Sequence, residues 1–133
     1  DATHNMDGLP MLCENIDRLI AERAGHRPMI ITGFLGMDRA RQLLPTLSGY
    51  ADTLYAVQPK QPRACRTAEL ESISGLHCPL RPSSVSSLFP GGLQCATGGP
   101  NDTILVSGSI YLIGEICQQL YQTSAENELQ DKI

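Results

Sequence analysis

The chain alternates between amphipathic stretches with helical spacing and short, continuous apolar runs. Leu9, Leu12, Ile16, Leu19 and Ile20 recur every three or four residues, with Glu14, Asp17, Arg18, Glu22 and Arg23 mostly opposite them. This spacing predicts a first helix, with Asp7 as N-cap and Gly25 as stop. PMIIT, from Pro28 to Thr32, ends at Gly33 and has the length of a buried strand. From Asp38 to Leu47 one helical face carries Ala40, Leu43, Leu44 and Leu47, with Pro45 placed to shorten or kink the helix. TLYAV, from Thr53 to Val57, is a β-branched and aromatic run that leads into the proline-rich QPKQPR. Thr67 to Ser74 reads as a helix closed by Gly75, and His77 to Leu80 as a short strand. Ser83 to Phe89 supplies one or two helical turns before Pro90, Gly91 and Gly92, with room for a further helical piece up to Cys95. ATGGPND is a loop. Thr103 to Val106 is the last strand, and the helix after it reaches Tyr121, with a polar tail from Thr123 expected to fray.

The resulting order is helix and strand in strict alternation, α β α β α β α β α. Short apolar strands interleaved with amphipathic helices predict an α/β fold: a single Rossmann-like domain whose mostly parallel sheet is covered by helices. Ligands of such sheets gather at the carboxyl ends of the strands. Several polar groups fall there: Asp1, His4 and Asn5 ahead of the first helix, Thr32 and Asp38, the stretch Gln58 to Arg63, and Ser107 with Ser109.

The turn Ser107-Gly108-Ser109 stands out because a helix starts directly after a strand. Its unpaired N–H groups and positive dipole end would face whatever lies beyond the strand. Two readings stay open: a hydroxyl that caps the helix, or a cradle for an anion.

Composition narrows the field. At 133 residues, with 41% hydrophobic and 18% charged side chains, the chain is long enough for one domain with its own core. A net charge of −4, no Lys/Arg cluster and no Trp count against a nucleic-acid surface. No apolar run approaches the roughly 18 residues of a membrane span. The five cysteines are widely spread with no C-x-x-C, which counts against a zinc site or a disulfide framework and points to a reduced, cytoplasmic setting. Cys13 and Cys117 are expected on apolar helix faces. The histidines show no metal spacing: His26 reads as solvated, His77 as structural, and His4 as either a surface-loop residue or part of the polar cluster with Asp1 and Asn5. There is no G-x-x-x-x-G-K-[ST], no G-x-G-x-x-G and no G-x-S-x-G.

Three segments, in order, resemble one family. DATHNMDG is similar to the D-x-A-H-N-P-x-G signature that opens the C-terminal domain of folylpolyglutamate synthases and dihydrofolate synthases, members of the Mur ligase superfamily. ADTLYAVQPKQPRACRTAEL resembles that domain's A-D, apolar run, P-R-A and helix with E-L. LVSGSIYLIGEI resembles its V-T-G-S-L-Y-L-V-G-E segment. Two positions depart from the pattern. Met6 replaces the proline after His-Asn, and the family's K-D-K-D-like stretch reads Gly36 to Arg39, leaving Asp38 and Arg39 for that charge cluster.

The resemblance implies that residues 1–133 form a Mur-type C-terminal, glutamate-ligase domain whose N-terminal ATP-binding domain, with the P-loop, lies outside this chain. It implies an ATP-dependent ligase that adds L-glutamate to a folate through an acyl phosphate. ATP and magnesium would be held mainly by the N-terminal domain, and the chain alone would be inactive. On matching positions Asp1 would contact the nucleotide, and His4, Ser107, Ser109 and Arg63 would serve the glutamate. No metal ligand, no nucleic acid and no membrane enter this picture, and the family suggests a monomer. Two alternatives stay beside it: another Mur-type amino-acid ligase of cell-wall synthesis, and a non-catalytic α/β binding module.

Overall fold

The computed structural model of the chain describes residues 9–90 and 103–131, with 110 and 122–131 described by their backbone. Helices α1 (Leu9–Glu22), α2 (Met37–Tyr50), α3 (Thr67–Glu71), α4 (Val85–Leu88) and α5 (Ile110–Asp131) alternate with strands β1 (Met29–Thr32), β2 (Thr53–Val57), β3 (Leu80–Ser83) and β4 (Ile104–Ser107). The sheet order is β3-β2-β1-β4, and every pair is parallel. The α/β, Rossmann-like architecture expected from the alternation is therefore the one observed.

Strand register explains how the core divides. Ile30 pairs with Leu54 and with Leu105, and one residue on, Ile31 pairs with Tyr55 and with Val106. Successive side chains on a strand point to opposite faces. The first row packs with α1, α2 and α3, through Leu12, Ile16, Leu43, Leu44 and Leu70. The second row packs with α4 and α5, through Leu88, Leu112 and Ile116. Each fully buried aliphatic side chain contributes about 1.5–3 kcal/mol relative to exposure. Both faces of the sheet are covered, which is why its strands read as continuous apolar runs rather than alternating ones.

The sheet order follows from chain direction. From β1 the chain steps outward to β2 and β3 with α2 and α3 on one face. It then returns past both to place β4 on the far side of β1, with α4 on the other face. Crossovers of a single hand require that a reversal of direction move the helix to the opposite face. The reversal leaves β1 and β4 as neighbours whose following segments depart from their shared carboxyl edge.

Several expected boundaries move. The third strand is Leu80–Ser83 rather than His77 to Leu80, because Leu80 pairs with Leu54 and joins the first core while His77 stays exposed. Helix α3 stops at Glu71 instead of Ser74, with the Ser72 N–H and hydroxyl both donating to the Glu69 carbonyl. Pro45 does not shorten α2, which continues to Tyr50. Ser48, buried one turn on, donates to the Pro45 carbonyl at 2.7 Å and accepts the His77 backbone N–H at 3.0 Å, tying α2 to the segment before β3. The tail expected to fray is helical, since α5 runs 22 residues to Asp131. Cys117 lies on the exposed side of α5, not its apolar face, because Leu112 and Ile116 set the buried stripe. Gly25 ends α1 as expected, with φ +85° and its N–H on the Ile20 carbonyl at 2.9 Å. Asp7 and Cys95 lie outside the described residues. Among the described residues, no helix is long and apolar enough to cross a membrane.

Candidate functional site at the carboxyl edge of the sheet

The carboxyl ends of β1 and β4 meet at Thr32 and Ser107, which are partners in the parallel register. The Thr32 hydroxyl donates to the Ser107 carbonyl at 2.8 Å, closing a group that a parallel ladder leaves at its end. Both residues are buried. The Ser107 hydroxyl, in contrast, is buried with no hydrogen-bond partner among the described residues. An unpaired buried hydroxyl carries a desolvation cost of about 1–3 kcal/mol, so it calls for an explanation.

Backbone approach at this corner is close enough to require glycine. Gly108 has φ +113°, and a Cβ there would lie 2.6 Å from Thr32 Oγ1 and 2.7 Å from the Gly33 carbonyl. A Cβ on Gly33 would run into the Val57 carbonyl. Two adjacent strand ends thus converge on a surface made of backbone and small hydroxyl side chains.

Ser109 is the N-cap of α5. Its hydroxyl accepts the Tyr111 N–H at 3.2 Å, and its carbonyl accepts the Ile113 N–H at 3.2 Å. The capping reading of the turn therefore holds for Ser109. Ser107 makes no such bond and is the serine whose hydroxyl is unengaged.

Among the described residues, no contact brings Arg63 to this corner. It is exposed and lines a separate recess of about 250 Å³ with Gly36, Asp38 and Arg39. The reason lies in the P-R-A stretch, which does not open a helix. It docks on the segment after β1: the Arg63 carbonyl accepts the Gly36 N–H at 3.1 Å, and the Cys65 N–H reaches the Phe34 carbonyl at 2.8 Å. Asp38 pairs with Arg41 at 3.5 Å on the exposed surface, where such a pair contributes little. Asp1 and His4 lie outside the described residues.

A residue that sequence reasoning passed over is Glu115. It sits on α5 and reaches the loop after β2, where one carboxylate oxygen accepts the Lys60 backbone N–H at 2.7 Å. The other oxygen is buried without a partner among the described residues. The Glu115 residue lines a cleft of about 640 Å³ between the ends of β2 and β3, α4 and α5, together with Gln58, Gln61, Ser83 and Gln118. Position 115 follows Leu112 by three, and nothing in the local spacing marks it as a site residue. Only the docking of the 58–61 loop made it a site residue. Ser107 and Ser109 do not line this cleft.

Perturbed groups lie away from the corner. Burial pushes the Cys65 thiol above its ordinary range, in keeping with its place in the first core. Burial, then neighbouring Cys13 and Asp17, raise the Tyr50 phenol. Among the described residues, no group of three His, Cys, Asp or Glu is arranged to hold a metal ion.

The geometry defines an α/β domain with a glycine-shaped, hydroxyl-bearing corner where its strand order reverses, and a larger polar cleft one strand away. No protein-family model matches the chain, and no curated protein or solved structure does so either.

Proposed function

We propose that the chain is the C-terminal domain of an ATP-dependent folate:glutamate ligase, of the folylpolyglutamate or dihydrofolate synthase kind. The observation that carries this reading is the buried Ser107 hydroxyl, unpartnered at the β1/β4 corner beside the start of α5. Open parallel sheets bind ligands at such a reversal of strand order. An anion there gains from the dipole of a helix as long as α5. A free hydroxyl can donate to a carboxylate, and glutamate brings two carboxylates that must be held and charge-compensated while its amine attacks.

In this reading Ser107 donates to a glutamate carboxylate, Ser109 holds the helix start in place as its cap, and His4 orients or neutralises the same substrate. Asp1 accepts hydrogen bonds from the nucleotide. Arg63 meets an anion from its own recess with Arg39. ATP, held with magnesium mainly by an N-terminal domain, supplies the phosphoryl group that activates the folate carboxylate. The domain works in the cytoplasm, as a monomer, with its own ATP-binding domain as its protein partner.

The test joins this chain to its ATP-binding domain. Ser107→Ala and His4→Ala should each raise the KM for glutamate tenfold or more and leave the KM for ATP within about twofold. Ser107→Ala removes a hydroxyl with no partner, so it should not unfold the domain. Unchanged glutamate dependence in both variants would sink the assignment. ATP-dependent ligation by residues 1–133 alone would also overturn it, because the chain contains no phosphate-gripping loop.

A further inference from the structure

The Glu115 cleft is distinct from the Ser107 corner and poses a different chemical question. Its carboxylate is held in place: the Lys60 N–H fixes one oxygen at 2.7 Å, and the loop that supplies it follows directly from β2. The second oxygen is shielded from solvent yet has no partner among the described residues. A buried carboxylate oxygen without a donor is costly, more so than a neutral group, and the cost is removed by a hydrogen-bond donor, best a charged one.

The rest of the wall selects among donors. Gln58, Gln61, Gln118 and Ser83 offer neutral amides and a hydroxyl, each able to donate and accept. Lys60, exposed at the same cleft, adds one positive charge that disfavours a bare polycation. At about 640 Å³ the cleft falls within the roughly 300–1,000 Å³ of small-molecule sites. A guest therefore needs one cationic donor for Glu115 and a neutral or mildly anionic polar body for the amides and Lys60.

We propose that this cleft binds a small polar molecule through its primary ammonium group, with Glu115 as the anchor. Two sources share that chemistry, a free amino acid and an amino sugar. The inference does not rest on the ligase reading, since neither Ser107 nor Ser109 lines this cleft.

The experiment titrates the isotope-labelled 133-residue chain, without nucleotide, with L-glutamine or glucosamine at millimolar concentration and follows backbone amide resonances. At least one probe should give saturable shifts centred on the Lys60 and Glu115 amides. Glutaramate and glucose, which lack the ammonium, should not. Glu115→Gln keeps a carbonyl for the Lys60 N–H but loses the charge, and should weaken binding at least tenfold with the rest of the spectrum intact. Saturation by L-glutamine alone assigns the amino-acid source, and by glucosamine alone the amino-sugar source; both support the site. Binding by neither probe, equal binding by the deaminated counterparts, or full binding by Glu115→Gln overturns it. None of these outcomes touches the glutamate KM test at Ser107, so the two readings fail separately.

Discussion

Against one face of the sheet, Leu12 and Ile16 of α1, Leu43, Leu44 and Leu47 of α2 and Leu70 of α3 are all buried. Against the other, Leu88 of α4 and Leu112 and Ile116 of α5 carry the helical packing among the described residues. The first layer is a dense aliphatic seam. The second is thinner, and its α5 spends side chains such as Glu115 and Gln119 on polar reach, Gln119 donating to the Phe89 carbonyl at 3.1 Å. The cleft lies on this second side. The contrast teaches that the two faces divide the labour: one supplies most of the aliphatic packing among the described residues, and the other leaves polar groups beside the strand ends.

The largest expected effect tests the seam. Leu44→Ala should destabilise the domain by about 2–5 kcal/mol in urea unfolding, because the dense first layer cannot collapse into the cavity. Leu112→Ala, equally buried, should fall at the low end of that range, because its cluster holds fewer buried side chains among the described residues. Equal losses at the two sites would break the comparison.

Next comes the corner between the layers. Gly108→Ala imposes a Cβ 2.6 Å from Thr32 Oγ1 at φ +113° and should cost about 1–3 kcal/mol in the same measurement. Gly36→Ala has a similar positive φ, +92°, but open space around the new methyl, and should cost clearly less. A reversed order would mean that crowding does not shape this corner.

Among polar side chains, Ser109→Ala should cost about 1 kcal/mol through loss of the α5 cap, whereas Ser107→Ala should be close to neutral in stability. Thermal melts of both variants separate the capping serine from the one whose hydroxyl has no partner among the described residues.

The smallest effect lies on the first side. The Arg66 backbone N–H, at 3.0 Å, and then its guanidinium hold the Glu69 carboxyl below the ordinary range. A lowered carboxyl stabilises the fold above its unfolded value, and this contribution is lost as pH falls through the lower folded value. The melting temperature of the parent should therefore drop slightly more than that of Glu69→Gln between about pH 5 and pH 3. Parallel curves would show that the bond at the start of α3 has no role in stability.

Much of the frame was legible from periodicity. Helical spacing in α1 and α2 and the compact runs MIIT and TLYAV report local geometry and burial together, so they survive translation into three dimensions. β3 was misplaced because LRPS is neither apolar nor alternating, and its strand character comes from pairing with β2. Cys117 was misassigned because a residue beside Ile116 can fall on either side of the stripe, and the packing partner decides which.

What the sequence determined by itself is the alternation of helix and strand, the parallel covered sheet it requires, and the glycine-and-serine turn before α5. Those features depend on local propensity and on a 3.6 or 2 residue period. Tertiary structure decided the rest. It split the serines of that turn into a cap and an unpartnered hydroxyl, carried Arg63 into a recess with Arg39, and brought Lys60 against Glu115 across 55 positions of chain. Such pairings depend on how strand order folds back on itself, and no local pattern encodes which distant backbone N–H a carboxylate will meet.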